Sequence, residues 1–465
     1  MHMNLVFFQN DQRLHDNEGI LIAERLQEPW IGVVIEPVTK TFKGVQRTSA
    51  KRRKAWRHAA HQFKQSVEEN GGTLLLLQGP RLERIKELID RLDPENVIYG
   101  IEPGIEEKRL YKELDKYTST KTHHASWLWH PADHDRDYRD VSNTFTQFRR
   151  YVEQNSAVRK PIQQPAKLNG APRPNIDDEI PFTDPLEHHE HSLIPFTLTE
   201  QEAKRRLQHY LEEDLPKSYK YTRNKSLGID KSTKFSVFLA NGSMSPREAY
   251  HAIERYEDQY GSTKSTYWVK FELTWRDFFK YQAMKHGEHL YTPGGIQRSH
   301  VEWDQDPARI SSFTEGRTGY PFVDAGMREL TKTGFISNRV RQNVASFFTK
   351  NLHQDWRIGA AIFEKHLLDY DTASNYGNWQ YVSGVGNDSR STKYFNVIGQ
   401  SKKYEAAQYI KQWVPELRGI QDQHVYEPWT MSEGQQAMYG FKYGETYPKR
   451  IVNFKESIRE MKKRY

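Results

Sequence analysis

Residues 48–77 read TSAKRRKAWRHAAHQFKQSVEENGGTLLLL. Thr48 and Ser49 supply capping hydroxyls for a helix-period segment that runs from Ser49 to Glu69, and Gly71–Gly72 closes it. The apolar run Thr73 to Leu77 then reads as a strand, so the stretch is half of a strand–helix–strand crossover. The same alternation extends outward. Leu5 to Phe8, Trp30 to Ile35 and Asn96 to Ile101 read as strands, and Glu18 to Leu26 and Leu82 to Leu92 as helices. The predicted fold is an α/β domain with an open parallel sheet. Neither GxGxxG after the first strand nor GxxxxGK[ST] is present, so no dinucleotide fingerprint or P-loop supports a phosphate site there.

From Asn155 to Pro195 the pattern dissolves into charges and seven prolines, which resist both helix and ladder. Beyond Thr199 strand signals vanish. Helical periodicity covers Glu200 to Leu211, Pro246 to Gln259, Tyr267 to Met284, Phe322 to Thr331, Asn338 to Asn351 and Trp356 to Leu368. The expected organisation is an antenna-type α/β domain at 1–154, an interdomain linker at 155–198 and a mostly α-helical domain at 199–465. This agrees with a length of 465 residues, beyond the ~250–300 at which one core stops growing.

The chain has no cysteine, which excludes disulfides, thiolate metal sites and cysteine nucleophiles and predicts a cytoplasmic protein. No window approaches the ~20 apolar residues of a membrane span, so no membrane association is expected. A net charge of +7 and a pI near 9.0 suit an anionic partner such as nucleic acid. Aromatic residues make up 13% of the chain and suit stacking on planar rings, although a tyrosine-rich surface over a helical core has the same composition. The run Lys51-Arg52-Arg53-Lys54 reads as a solvated helix face. Glu187-His188-His189-Glu190-His191 reads as linker, since no regular element fixes a ligand geometry, and no metal is assigned.

Four constellations carry chemistry. Glu272, Trp275, Arg276 and Phe279 share one helix face, either a polar pocket with an aromatic wall or an ion pair beside a core Trp. Asn338, Arg341, Gln342 and Ala345 share another, on which a planar polar ligand could lie. Asp369 and Asp371 precede the polar and aromatic segment Ser374 to Tyr381, a binding loop or a helix start; the two acids suit a metal, or hydrogen bonds to ligand or arginine. Ser232-Thr233-Lys234-Phe235-Ser236 suits phosphate at a helix start, or helix capping.

These segments, together with Asn10 to Asn17, Gly319 to Ala325 and Asp355-Trp356-Arg357, resemble the photolyase/cryptochrome family. Arg341 to Ser346, Ser374 to Tyr381 and Gly384 to Asp388 resemble its DASH-type cryptochrome branch. The sequence departs from that pattern at Gln9, at Val340 and over Ser126 to Asn143.

The resemblance implies an antenna domain joined to a helical domain that binds FAD, and blue-light chemistry on DNA. Carried over by position, it assigns Tyr219, Ser232, Thr233, Lys234, Phe235 and Ser236 to the phosphates and ribityl chain. Arg276, Asn338, Arg341, Asp369, Asp371 and Asn375 also fall to the cofactor, with Arg341 and Asp369 as an ion pair and Asn375 facing flavin N5. Trp379, Trp356 and Trp303 match the electron-transfer tryptophans. Glu272, Trp275, Asn338, Gln342 and Tyr381 match the pocket for a flipped-out cyclobutane pyrimidine dimer, and Arg339 a phosphate contact. Gln342 is the choice that accompanies a preference for single-stranded DNA, and no histidine pair of the (6-4) type occurs in the pocket segments. Glu153 matches the glutamate that holds methenyltetrahydrofolate as antenna. The expected activity is that of a deoxyribodipyrimidine photolyase-type lyase, acting as a monomer. A flavin-based blue-light photoreceptor that signals through DNA or a protein partner is the alternative; the absence of a long low-complexity tail before Tyr465 favours the enzyme.

Overall fold

The structure, a computed structural model, describes residues 2–388 and 390–465. Its sheet has five parallel strands in the order β5-β2-β1-β6-β7. They are β1 (Asn4–Phe8), β2 (Trp30–Glu36), β5 (Leu74–Gln78), β6 (Asn96–Gly100) and β7 (Thr120–His123), while β3 (Thr41–Phe42) and β4 (Val45–Gln46) form a separate hairpin. β1 and β2 are buried along their whole length, as expected of strands covered by helices on both faces. The four strands expected from sequence are present. β7 was not expected, because its sequence, Thr-Lys-Thr-His, is that of a short polar edge strand with mostly outward side chains.

The second half is helical. Helices Lys264–His286, Pro321–Thr333, Asn338–Ser346, Trp356–His366 and Thr372–Ser383 surround one continuous apolar core. Helix Asn338–Ser346 ends earlier than its periodicity predicts and widens into a π-helical turn, Phe347–Asn351. Ser374 to Tyr381 lies inside a helix capped by Asp371, whose carboxylate accepts the Ser374 N–H at 2.7 Å.

The two halves are joined through buried charge. Arg247 reaches Asp16 at 2.7 Å and Glu18 at 2.5 Å, and Lys280 reaches Glu102 at 3.2 Å. The proline-rich segment is strapped to the sheet: Trp30 N–H donates to Asn169, and Ile180 N–H to Leu76. Lys51 to Arg53 is not a solvated face. The Arg52 guanidinium lies 4.4 Å from the Tyr370 ring and donates to the Glu364 carbonyl at 2.5 Å, and Arg53 pairs with Glu36 at 3.3 Å. Periodicity places these residues on the outside of an isolated helix, but the helical half packs over that side.

Candidate functional site

Two adjoining recesses open in the helical half, enclosing about 570 and 1160 Å³. Asn338, Arg341, Asp369, Asp371 and Ser374 line both, so they form the shared wall. The smaller recess adds Gln342, Asn375 and Trp379, and the larger adds Tyr219, Ser232 to Ser236, Glu272 and Arg276. Every residue assigned by position to the cofactor therefore lines one or both of these adjoining recesses, whereas Trp275 and Tyr381, assigned to the dimer, line neither. Helix Asn338–Ser346 brings Asn338, Arg341 and Gln342 there at i, i+3 and i+4, the spacing of one helix face.

The wall is electrostatically set. Arg341 Nη2 donates to Asp369 Oδ2 at 2.8 Å, and Arg341 Nε to the Ile336 carbonyl at 2.8 Å. Burial raises the Asp371 carboxyl, but Arg276, Lys280 and the Ser374 bonds outweigh it and hold the group below its ordinary range. Lys234 is 4% exposed, with φ at +60° in the left-handed region that few side chains adopt. Burial pushes its amine down to about 8. Its loop is held from behind by Arg206, which donates to the Thr233 and Ser232 carbonyls at 2.9 and 3.1 Å and to Asp230 at 2.6 Å. Sequence reasoning missed Arg206; a buried arginine on helix Glu200–Glu212 has no local signature.

Four buried polar atoms of recess-lining residues have no protein partner: Ser337 Oγ, Gln342 Oε1, Asp369 Oδ1 and Trp379 Nε1. Orphaned groups of this kind are costly unless a ligand satisfies them. The Asn375 amide nitrogen is committed to the Ala360 carbonyl at 3.0 Å, which leaves its oxygen to accept. The donor and acceptor set fits a polar, anionic, planar cofactor such as FAD.

At the mouth, Glu272 is ion-paired with Arg223, whose guanidinium lies 4.6 Å from the Trp268 ring. Arg223 was not anticipated, although it stands four residues after Tyr219 on the same turn. Trp275 is half-buried, with Tyr381 edge-on at 6.2 Å. One face of its indole is stacked on Phe145 at 3.7 Å, and the Phe278 and Phe279 rings lie 5.4 and 5.5 Å from it, so Trp275 sits in an aromatic cluster. Arg339 bonds Asn224 at 3.0 Å and lies 4.9 Å from the Tyr404 ring, a fixed rather than a free cation. Arg276 donates to the Ser126 and Leu239 carbonyls at 2.6 and 3.1 Å, which ties the recess to the interdomain seam.

Of the three tryptophans, Trp379 and Trp356 are buried and Trp303 reaches the surface. Trp379 is 2% exposed and its ring lies against Gly359. Trp356 stands one turn before Gly359 on the same helix. Its indole N–H and that of Trp303 donate to one acceptor, the Pro293 carbonyl, at 3.0 and 3.1 Å. Trp303 is partly exposed. Elsewhere, Glu153 lines a separate recess of about 930 Å³ with Trp129, Tyr250 and Lys160, and accepts from Tyr267 Oη at 2.7 Å. His189 and His191 pack around Trp413, and no cluster of three or more metal-ligating side chains occurs among the described residues.

Fold and recess define a class, a flavin-binding protein built on a sheet domain and a helical domain, and the comparisons agree. The family model described as "DNA photolyase" matches residues 4–166, and that described as "FAD binding domain of DNA photolyase" matches 268–465. Curated relatives named Cryptochrome DASH include that of Natronomonas pharaonis, 38% identical over 97% of this chain and 98% of the relative. That of Xenopus laevis is 38% identical over 96% and 89%. The solved cryptochrome of Synechocystis sp. superposes with a TM-score of 0.96 at 36% identity, covering 100% of this chain and 99% of that one. A bacterial class III photolyase from Agrobacterium tumefaciens superposes at 0.84 with 26% identity, covering 100% and 97%. The chain belongs to the photolyase/cryptochrome family. Within that family its relatives place it in the DASH-type cryptochrome branch.

Proposed function

We propose that the protein is a blue-light-driven lyase that splits cyclobutane pyrimidine dimers, preferentially in single-stranded DNA. The observation that carries this reading is the meeting of two adjoining recesses at the Arg341–Asp369 pair, with Glu272 lining the larger and Gln342 the smaller. FAD, bound and reduced, supplies the light-driven electron that opens the cyclobutane ring. Tyr219 and Ser232 to Ser236 would hold its phosphates and ribityl chain; Arg276, Arg341, Asp369, Asp371 and Asn375 would hold the ring end. Asn338 serves both cofactor and dimer.

The chain's own work on DNA is placement. A dimer must leave the stack, at an unpairing cost of a few kcal/mol that is lowest in a single strand. Glu272 and Asn338 hydrogen-bond the extruded pair, Trp275 and Tyr381 pack on it, and Gln342 borders it. Arg223 holds Glu272 in place for that contact. Trp303, Trp356 and Trp379 pass electrons inward from the surface. Glu153, in its own recess, is the anchor for methenyltetrahydrofolate as antenna. The protein acts as a monomer in the cytoplasm, the compartment its lack of cysteine suits, over domains 1–154 and 199–465 joined by 155–198.

Purified FAD-bound protein illuminated with a single-stranded oligonucleotide bearing one dimer should restore the thymines, with no change in the dark. No repair in the light, with or without binding of the oligonucleotide, would favour the photoreceptor reading, to which the cryptochrome names of its relatives point.

A further inference from the structure

Helix Phe454–Arg464 buries Ser457, Ile458 and Met461. Lys455, Arg459, Lys462 and Lys463 are all exposed. Arg464, the remaining cation, is taken by Asp304 at 2.8 Å and Glu460 at 3.0 Å. Lys455, Arg459, Lys462 and Lys463 enter no ion pair among the described residues, and Glu456 is the one other acid of the helix. Lys455, Arg459 and Lys462 follow i, i+4, i+7, so they form one stripe with steps of ~6 and ~4.5 Å along the axis. By contrast, in the basic run of the first domain Arg52 is held against Tyr370 of the helical half and Arg53 against Glu36 of its own sheet.

The helix N-terminus lies near Tyr381 through Tyr394 and Lys393, the latter ion-paired with Asp388 at 3.2 Å. Lys393 Nζ lies 5.4 Å from the Tyr381 ring. Its neighbour Tyr394 is 37% exposed, and its ring lies 6.2 Å from that of Phe454, the first residue of the helix. An exposed aromatic followed by a row of unpaired cations is the arrangement by which proteins track a single strand, through base stacking and phosphate neutralisation.

We propose that Tyr394 and the outer face of helix Phe454–Arg464 form a second stretch of the DNA-binding surface, taking the sugar-phosphate backbone of the strand on one side of the dimer. This rests on the DNA-directed function proposed above. Because the contact is to backbone, it is independent of sequence and damage, and it requires a strand longer than the pocket itself.

The test compares FAD-bound protein with the variant Lys455→Gln/Arg459→Gln/Lys462→Gln/Lys463→Gln, measuring affinity in the dark by fluorescence anisotropy at several salt concentrations. The probes are single-stranded: a dimer-bearing and an undamaged 4-mer, and a dimer-bearing and an undamaged 20-mer. The expected result is an affinity for both 20-mers lowered ~10-fold at low salt, with a salt slope shallower by ~2–3, the value for four phosphate contacts on a single strand. The 4-mer should bind unchanged. A control with Lys455→Arg, Lys462→Arg and Lys463→Arg should behave like the parent, and unchanged FAD content and melting show that the fold is intact. Unchanged 20-mer affinity and slope, or an equal loss on the 4-mer, would overturn the proposal. So would unchanged DNA binding with weakened capture of poly-glutamate, which would assign the face to an acidic protein. Failure of the parent to prefer the dimer-bearing 4-mer over an undamaged one would instead count against the proposed function, while the undamaged 20-mer still reports on the surface.

Discussion

Trp379 and Trp275 are both large aromatics of the helical core region, and simple packing would make the loss of either a matter of stability. Their surroundings separate them. Trp379→Phe keeps the shape against Gly359 but is far harder to oxidise, so FAD and dimer binding should persist while light-driven reduction of the oxidised flavin by external donor is lost. Trp275→Ala should reduce normally, yet lose ~1–3 kcal/mol of base stacking and most repair. Flavin bleaching and oligonucleotide affinity, measured on both folded variants, check this; loss of the same property in both would contradict it. Lys350 makes a further residue-scale prediction. Its fully buried amine donates to the Ser383 and Ser391 carbonyls at 2.7 and 2.6 Å, and burial pushes it from 10.5 down to about 7. Between these values the unfolded chain holds a proton that the folded chain has released, so this group makes stability rise with pH. Urea unfolding from pH 7 to 9.5 should show that rise in the parent relative to Lys350→Met; a constant difference between the two would refute it.

At the scale of elements, what the sequence reveals follows period and polarity. β1, β2, β5 and β6 are apolar runs between turn signals, and the helices between them carry helix-period apolar faces, with Ser49 capping Ala50–Glu69, so they are readable within a residue or two. Helix Ile105–Tyr117 escapes because Gly104 gives it no side-chain cap, and β7 because an edge strand carries no apolar run. Helix Ala50–Glu69 is readable as a helix but not as a seam, since which face meets another domain depends on contacts 280 to 320 residues away. Arg52→Ala removes the Tyr370 contact and leaves the Glu364 carbonyl unpaired, which should cost ~1–3 kcal/mol in thermal or denaturant unfolding while FAD content stays unchanged. An effect below ~0.5 kcal/mol would return this run to the solvated surface it resembles in sequence.

For the whole molecule, the shape of the site emerges from distant segments. Tyr219, Ser232 to Ser236, Glu272, Asn338, Arg341, Asp369 and Asn375 are separate in sequence, and only the resemblance gathers them before the fold is known; the two adjoining recesses then bring them together. Their supports, Arg206, Arg223 and Phe145, stay hidden because each acts through a tertiary contact. The buried pairs of Arg247 with Asp16 and Glu18, and of Lys280 with Glu102, fix the sheet domain against the helical one. A pocket that accepts only an extruded dimer is tested most directly by blue-light repair rates of the same dimer in a single strand, in an unpaired bubble and in a perfect duplex. The single strand and the bubble should be repaired at similar rates, and the duplex more slowly by a factor set by a flipping cost of a few kcal/mol. No repair of any of the three, or a duplex repaired as fast as the single strand, would contradict the account.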